Sequence, residues 1–79
     1  MIKMYATTWC GDCVRSKAFL DEKKIKYEVI DIEKDKQAAK YVEEVNEGNR
    51  SVPTIVFEDG SILVEPTNEE LGKKLEEKK

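Results

Sequence analysis

Cys10 and Cys13 are the residues of this 79-residue chain whose type and spacing point most directly to chemistry. Two residues separate them, and the chain contains no histidine. Mechanisms that need an imidazole are therefore excluded, including Ser-His-Asp and Cys-His catalysis and His-ligated zinc. A Cys-x-x-Cys pair near the start of a βαβ pattern is typical of a redox pair that alternates between two thiols and a disulfide.

The expected position of the pair gives the two sulfurs different roles. If Cys10 lies at the N-terminus of a helix, unpaired backbone N–H groups and the helix dipole favour its thiolate, which is the nucleophile. Cys13 would lie one turn further along and be more covered. We therefore expect Cys10 to attack a disulfide and Cys13 to resolve the mixed disulfide, unless an external thiol does so.

The neighbours of the pair modify this expectation. Gly11 allows a tight turn, whereas the Asp12 carboxylate disfavours a nearby thiolate. Lys17 lies four residues after Cys13 and is expected to offset part of that charge. Trp9 either packs at the rim or offers a flat face to a substrate, and both interpretations stay open.

Other interpretations of the pair are an inert buried couple and a shared metal site. The intervening Gly-Asp favours an exposed loop, which argues against the inert couple. A structural zinc site needs four ligands, and the chain has no further Cys or His. A homodimer that holds an iron–sulfur cluster, with external thiols completing the ligands, is the alternative to disulfide exchange.

The apolar pattern predicts four strands and three helices that would position the pair. Strands are expected at 2–6, 27–32, 54–57 and 62–64, and helices at about 13–24, near 38–45 and after Thr67. Gly48 is expected as the C′ residue of the second helix, and Thr67 with Glu70 as a capping box. The order β-α-β-α-β-β-α predicts a parallel first strand pair, an antiparallel final hairpin and one mixed four-stranded sheet flanked by helices on both faces.

Composition restricts the class of protein. With 14 basic and 17 acidic residues the net charge is −3, and no basic stripe suggests a nucleic-acid partner. No apolar run approaches the roughly 20 residues of a membrane span. Residues 1–6 lack the charged and apolar segments of a signal peptide, so we expect a cytoplasmic protein. The length predicts a single domain over 1–79.

Together these residues resemble the glutaredoxin family, which has the thioredoxin fold. The resemblance covers essentially the whole chain and rests on Trp-Cys-Gly-Asp-Cys at 9–13, Arg-Ser-Val-Pro-Thr at 50–54 and Asp-Gly-Ser at 59–61. The stretches 4–11 and 45–54 are most similar to the mycoredoxin-like branch.

The resemblance implies a thiol–disulfide oxidoreductase and assigns further residues. Cys10 would be the nucleophile, Cys13 the resolving thiol, and Pro53 a cis-proline whose preceding residue, Val52, pairs through its backbone with a bound thiol. Thr67 and Asn68 would hold a substrate carboxylate at a helix N-terminus. The full set of expected substrate-binding residues is Trp9, Gly11, Asp12, Arg50, Val52, Pro53, Thr67 and Asn68.

Departures from the family pattern leave the electron donor open. Thr7 stands where glutathione-using relatives often have lysine, and Glu65-Pro66 replaces a Gly-Gly pair before the last helix. The donor is therefore glutathione, mycothiol, another small thiol or a protein such as thioredoxin reductase. We expect a monomer with no bound cofactor or metal that acts on disulfide-containing proteins or mixed disulfides.

Overall fold

A computed structural model describes residues 1–77 and has the predicted order of strands and helices. The elements are β1 (Ile2–Ala6), α1 (Gly11–Glu22), β2 (Tyr27–Asp31), α2 (Lys36–Val45), β3 (Thr54–Val56), β4 (Ile62–Val64) and α3 (Asn68–Glu77). Within the described residues, no helix is both long enough and apolar enough to cross a membrane.

The four strands form one mixed sheet in the order β2-β1-β3-β4. β1 and β2 are parallel, with Met4 opposite Val29, as a helical crossover requires. β3 is antiparallel to both β1 and β4, with Val56 opposite Ile62 in the final hairpin. The predicted α/β arrangement is therefore confirmed.

Alternation along β1 separates two apolar clusters on opposite faces of the sheet. Ile2, Met4 and Ala6 are buried in one cluster, which also contains both cysteines together with Leu20 and Leu71. Ile32 and side chains of α2 form the second cluster, against which Tyr5 packs. Because successive side chains of a strand point to opposite faces, one strand serves both clusters.

The start of α1 is two residues earlier than predicted. The helix begins at Gly11, so Gly11 and Asp12 belong to its first turn and not to an exposed loop. Cys10 is the N-cap residue, and its sulfur takes the capping role that sequence rules assign to Ser, Thr, Asp or Asn. The pattern indicated a helix only from Cys13 because Gly11 and Asp12 add nothing to its apolar face.

Both α1 and α2 are followed, two residues after their last helical residue, by a charged residue with left-handed backbone conformation. Lys24 has φ 58° and Glu47 has φ 55°. The prediction that Gly48 is the C′ residue of α2 was wrong, because the helix cap is Asn46 and Glu47 takes the C′ position. Gly48 comes one residue later, and its N–H donates to the Glu43 carbonyl at 2.6 Å, as the C″ residue of a Schellman motif does.

The predicted capping box at α3 is confirmed. The Thr67 N–H donates to Glu70 Oε1 at 2.9 Å, and the Glu70 N–H donates to Thr67 Oγ1 at 3.1 Å. The hydrogen bond from the Thr67 N–H lowers the pKa of the Glu70 carboxyl, and the Thr67 side chain acts in the same direction. The first turn of α3 is therefore held by its own side chains.

Candidate active site

The Cys10 sulfur lies at the N-terminus of α1, as predicted. Its Sγ accepts a hydrogen bond from the Cys13 backbone N–H at 3.1 Å. Its S–H donates to the Val52 carbonyl oxygen, with 3.6 Å between sulfur and oxygen. The residue is 8% exposed. A helix N–H directed at sulfur stabilises negative charge there, so this geometry favours a nucleophilic thiolate.

Cys13 is more deeply buried, with 1% of its surface exposed. Burial raises the pKa of its thiol to about 12, and its hydrogen bond with the Cys10 side chain acts in the same direction. The Thr7 backbone N–H opposes this shift, whereas the negative charge of Asp12 adds to it. Both cysteines are free thiols in the structure. The two thiols therefore differ: Cys13 is buried and protonated, whereas the Cys10 sulfur caps the helix.

A shallow groove runs past the Cys10 sulfur and collects residues from three parts of the chain. Five of the predicted substrate-binding residues line it together with Cys10, Ser51 and Glu65, namely Trp9, Gly11, Asp12, Arg50 and Val52. Pro53 is buried next to the lining residue Val52, and the Val52–Pro53 peptide bond is cis. Thr67 and Asn68 are exposed at the start of α3 and are not among the lining residues.

The groove wall at Ser51 and Val52 is attached to the end of α2 by a buried hydroxyl. Thr54, which is fully buried, donates from Oγ1 to the Ser51 carbonyl at 2.7 Å. The Asn46 side-chain amide donates to the same Oγ1 at 3.2 Å and to the Val42 carbonyl at 2.8 Å. These bonds join residues up to eight positions apart, and sequence reasoning missed both Asn46 and Thr54 as supports of the site.

Trp9 forms the exposed rim of the groove. It is 72% exposed, and its indole N–H donates to Glu33 Oε1 at 3.1 Å. Glu33 is in turn fixed by its N–H, which donates to Asp31 Oδ1 at 2.9 Å. The indole is therefore held by the loop after β2 and not by packing in the core, and nothing in the sequence spacing indicated Glu33.

Two ion pairs involve charged residues that line the groove. Asp12 pairs with Arg15 at 3.4 Å, a cation that the sequence analysis did not name. The partial offset by Lys17 stays a prediction. Arg15 also donates to the Pro66 carbonyl at 3.4 Å, which links α1 to the segment before α3. Arg50 pairs with Glu43 at 3.6 Å. The i,i+3 spacing of Asp12 and Arg15 on a helix indicates such an ion pair from sequence alone.

Residues 1–77 contain no group of three or more His, Cys, Asp or Glu side chains arranged to hold a metal ion. The chemistry that the described side chains offer is that of two thiols. One caps a helix beside an open groove, and the other lies one turn behind it.

Comparison with known proteins agrees with this site and fold. The family model described as glutaredoxin matches residues 2–62. A protein of Mycobacterium tuberculosis named as a glutaredoxin is 46% identical over 74 residues, which are 94% of this chain and 88% of that protein. Mycoredoxin 1 of Corynebacterium glutamicum is 37% identical over 75 residues, covering 95% and 92% of the two chains.

A solved structure gives the same result. The crystal structure of a mutant of the thioredoxin-like protein BC3987 superimposes with a TM-score of 0.83 at 32% identity, covering 95% of this chain and 99% of that one. The chain belongs to the glutaredoxin family and has the thioredoxin fold. It is thus a thiol oxidoreductase of the glutaredoxin type, and its relatives confirm the resemblance to the mycoredoxin-like branch.

Proposed function

We propose that this protein reduces disulfides in proteins, or mixed disulfides between proteins and small thiols, through Cys10 and Cys13. The observation that carries the proposal is the 3.1 Å hydrogen bond from the Cys13 N–H to the Cys10 sulfur, which faces a groove. The electrons come from an external thiol or a reductase protein, and no bound cofactor is needed, since the two sulfurs carry them.

The reaction has two exchange steps. The Cys10 thiolate attacks a substrate disulfide, a bond forms between Cys10 Sγ and one substrate sulfur, and the other sulfur leaves with the electron pair. Cys13 then attacks Cys10 Sγ, the Cys10–Cys13 disulfide forms, and the second substrate thiol is released with the proton that Cys13 loses. Two external thiols, or a reductase, restore the dithiol. With a small mixed disulfide, an external thiol can replace Cys13 in the second step.

Substrate binding is proposed for the groove lining. The Val52 backbone, close to the Cys10 sulfur, pairs with the cysteinyl part of the bound thiol, and Pro53 keeps this segment in place. Trp9, Gly11, Asp12 and Arg50 contact the rest of the substrate. Thr67 and Asn68 receive a substrate carboxylate only where it displaces the Glu70 carboxylate from the Thr67 N–H, because the capping box already uses that donor.

The partner and setting follow from the same chemistry. Reduced small thiols and disulfide-containing proteins are the proposed partners, in the cytoplasm, where thiols are kept reduced. The protein acts as a monomer, because one chain supplies both sulfurs and the whole groove.

The first experiment measures NADPH consumption with a glutathione mixed disulfide as substrate. Parallel reactions contain glutathione with its reductase, mycothiol with its reductase, or thioredoxin reductase alone. Turnover in any arm supports the proposal and identifies the donor. Silence in all three would contradict it, and a coloured dimer after anaerobic purification would then favour the iron–sulfur alternative.

Two variants test the roles of the sulfurs. Cys10→Ser is expected to abolish turnover in every arm. With a small thiol as donor, Cys13→Ser should retain reduction of the small mixed disulfide, and it should lose most reduction of protein disulfides, which need intramolecular resolution. An active Cys10→Ser together with an inactive Cys13→Ser would show that the roles are reversed.

A further inference from the structure

Two buried hydroxyl oxygens in the described part of the chain have no hydrogen-bond partner, Thr7 Oγ1 and Ser16 Oγ. Ser16 is fully buried on the inner face of α1. Burying a hydroxyl without a partner costs free energy, and such groups in native proteins are uncommon enough to need an explanation. An alanine at position 16 would avoid that cost and favour the helix.

Both residues border Cys13. Ser16 follows it by three positions on the same buried face of α1, and side chains three apart on a helix are neighbours. Thr7 lies on the other side, where its backbone N–H faces the Cys13 sulfur. Ser16 is thus a helical neighbour of Cys13, and the Thr7 backbone lies close enough to act on the Cys13 thiol.

The resolving step creates a need for hydrogen-bond donors at this place. In the reduced protein, Cys13 is hydrogen-bonded to the Cys10 side chain. Once Cys10 is bound to a substrate sulfur, Cys13 must lose its proton and attack as a thiolate inside an apolar cluster. A buried anion without donors is strongly disfavoured. A serine or threonine hydroxyl reaches a new acceptor by rotation about χ1 alone.

From these observations we infer that the Ser16 and Thr7 hydroxyls donate hydrogen bonds to the Cys13 thiolate during resolution of the mixed disulfide. The inference rests on the proposed function, because it assigns a role within its second step. The two unpartnered hydroxyls then destabilise the reduced protein, but they make the second exchange step faster.

Stopped-flow reaction with 5,5′-dithiobis(2-nitrobenzoate) separates the two steps. Attack by Cys10 releases one coloured thiolate, and attack by Cys13 on the resulting mixed disulfide releases the second. Ser16→Ala should slow the second release about threefold at neutral pH and leave the first unchanged. This follows because losing one donor raises the pKa of the attacking thiol by about one unit, and the higher intrinsic nucleophilicity recovers part of the lost rate. Thr7→Val should act in the same direction.

The pH profile of the second release distinguishes a hydrogen-bonding role from a packing role. In Ser16→Ala the profile should move about one unit to higher pH, as expected for a lost donor to an anion. Ala18→Gly, on the exposed face of α1, is the control: it weakens the helix without touching Cys13 and should leave both releases unchanged. The thermal midpoint of Ser16→Ala should not fall.

Each outcome has one meaning. Equal second phases and superimposable pH profiles in the wild type and both variants would overturn the inference while leaving the proposed function intact. Equal slowing of both phases would also overturn it, since that indicates a general disturbance of α1. Absence of a fast first phase in the wild type would contradict the proposed function itself.

Discussion

At the scale of single residues, Asp12 and Arg15 set the charge next to the two sulfurs. The Asp12 carboxylate contributes to the raised pKa of Cys13. The Arg15 guanidinium lies 3.4 Å from that carboxylate. Both side chains are about half exposed, so solvent and salt screen their effects. The pair therefore adjusts the reactivity of the site, whereas the helix N-terminus establishes it.

Asp12→Asn is expected to make Cys10 alkylate faster at neutral pH. Removing a negative charge beside the sulfur favours the attacking anion, so the rate with iodoacetamide at pH 7 should rise, by less than about threefold because the charge is screened. Arg15→Gln, which leaves Asp12 unpaired, should lower the same rate. A rate change of the same sign in both variants would exclude an electrostatic cause.

The sequence located the reacting sulfurs but not what supports them. Cys-x-x-Cys with a following helical pattern predicted a Cys10 sulfur at the helix N-terminus and a more covered Cys13, because both follow from local spacing. Glu33 and Thr54 act through contacts set by the packing of distant segments. Glu33 lies 24 residues from Trp9, and no local pattern marks such a pair.

At the scale of elements, the ends of the helices differ in how well sequence rules describe them. The Thr67–Glu70 capping box is a local pattern and was predicted correctly. The ends of α1 and α2 were not, because Lys24 and Glu47 occupy a left-handed position that usually favours glycine. Both residues are charged, so a rule that looks for glycine does not mark these positions.

Glu70 gives α3 a pH-dependent contribution to stability. The pKa of its carboxyl is lowered from an ordinary value of 4.5 chiefly because the carboxylate accepts the Thr67 N–H, and the Thr67 side chain acts in the same direction. A folded-state pKa below the unfolded value means that the stabilisation is complete above pH 4.5 and is lost as the pH falls through the lower folded value.

Comparison of the wild type with Glu70→Gln isolates this effect, since glutamine keeps the acceptor of the capping box and removes the charge. Urea midpoints measured from pH 7 to pH 3 should show a constant advantage of the wild type down to about pH 5 that shrinks below it. Other carboxyls, such as Asp59, titrate in both proteins and cancel. An advantage that does not change with pH would show that the Glu70 charge contributes nothing.

At the scale of the whole molecule, the sheet separates two apolar clusters, and only one of them contains the cysteines. Leu71 of α3 and Val42 of α2 are both fully buried, on opposite faces. A domain of this size has a total stability of about 4–12 kcal/mol, so the loss of one large core side chain is a substantial fraction. That this domain covers the whole of residues 1–79 remains a prediction.

Leu71→Ala should lower the free energy of unfolding by about 2–5 kcal/mol and also increase the reactivity of Cys13 in the folded protein, because the cavity opens in the cluster that buries this thiol. Val42→Ala should destabilise by about 1–3 kcal/mol without affecting Cys13. Urea denaturation and alkylation of Cys13 in a Cys10→Ser background measure the two effects. Equal Cys13 reactivity in both variants would contradict this division of the core.

Trp9 is an intrinsic fluorescence probe next to the Cys10 sulfur. The sequence contains one tryptophan, so the indole emission of the whole protein comes from the residue directly before Cys10. The indole is open to solvent and hydrogen-bonded to Glu33, so it reports on the rim of the groove and not on the core. Occupation of that groove can therefore be followed on the unmodified chain, without attaching a dye to either sulfur.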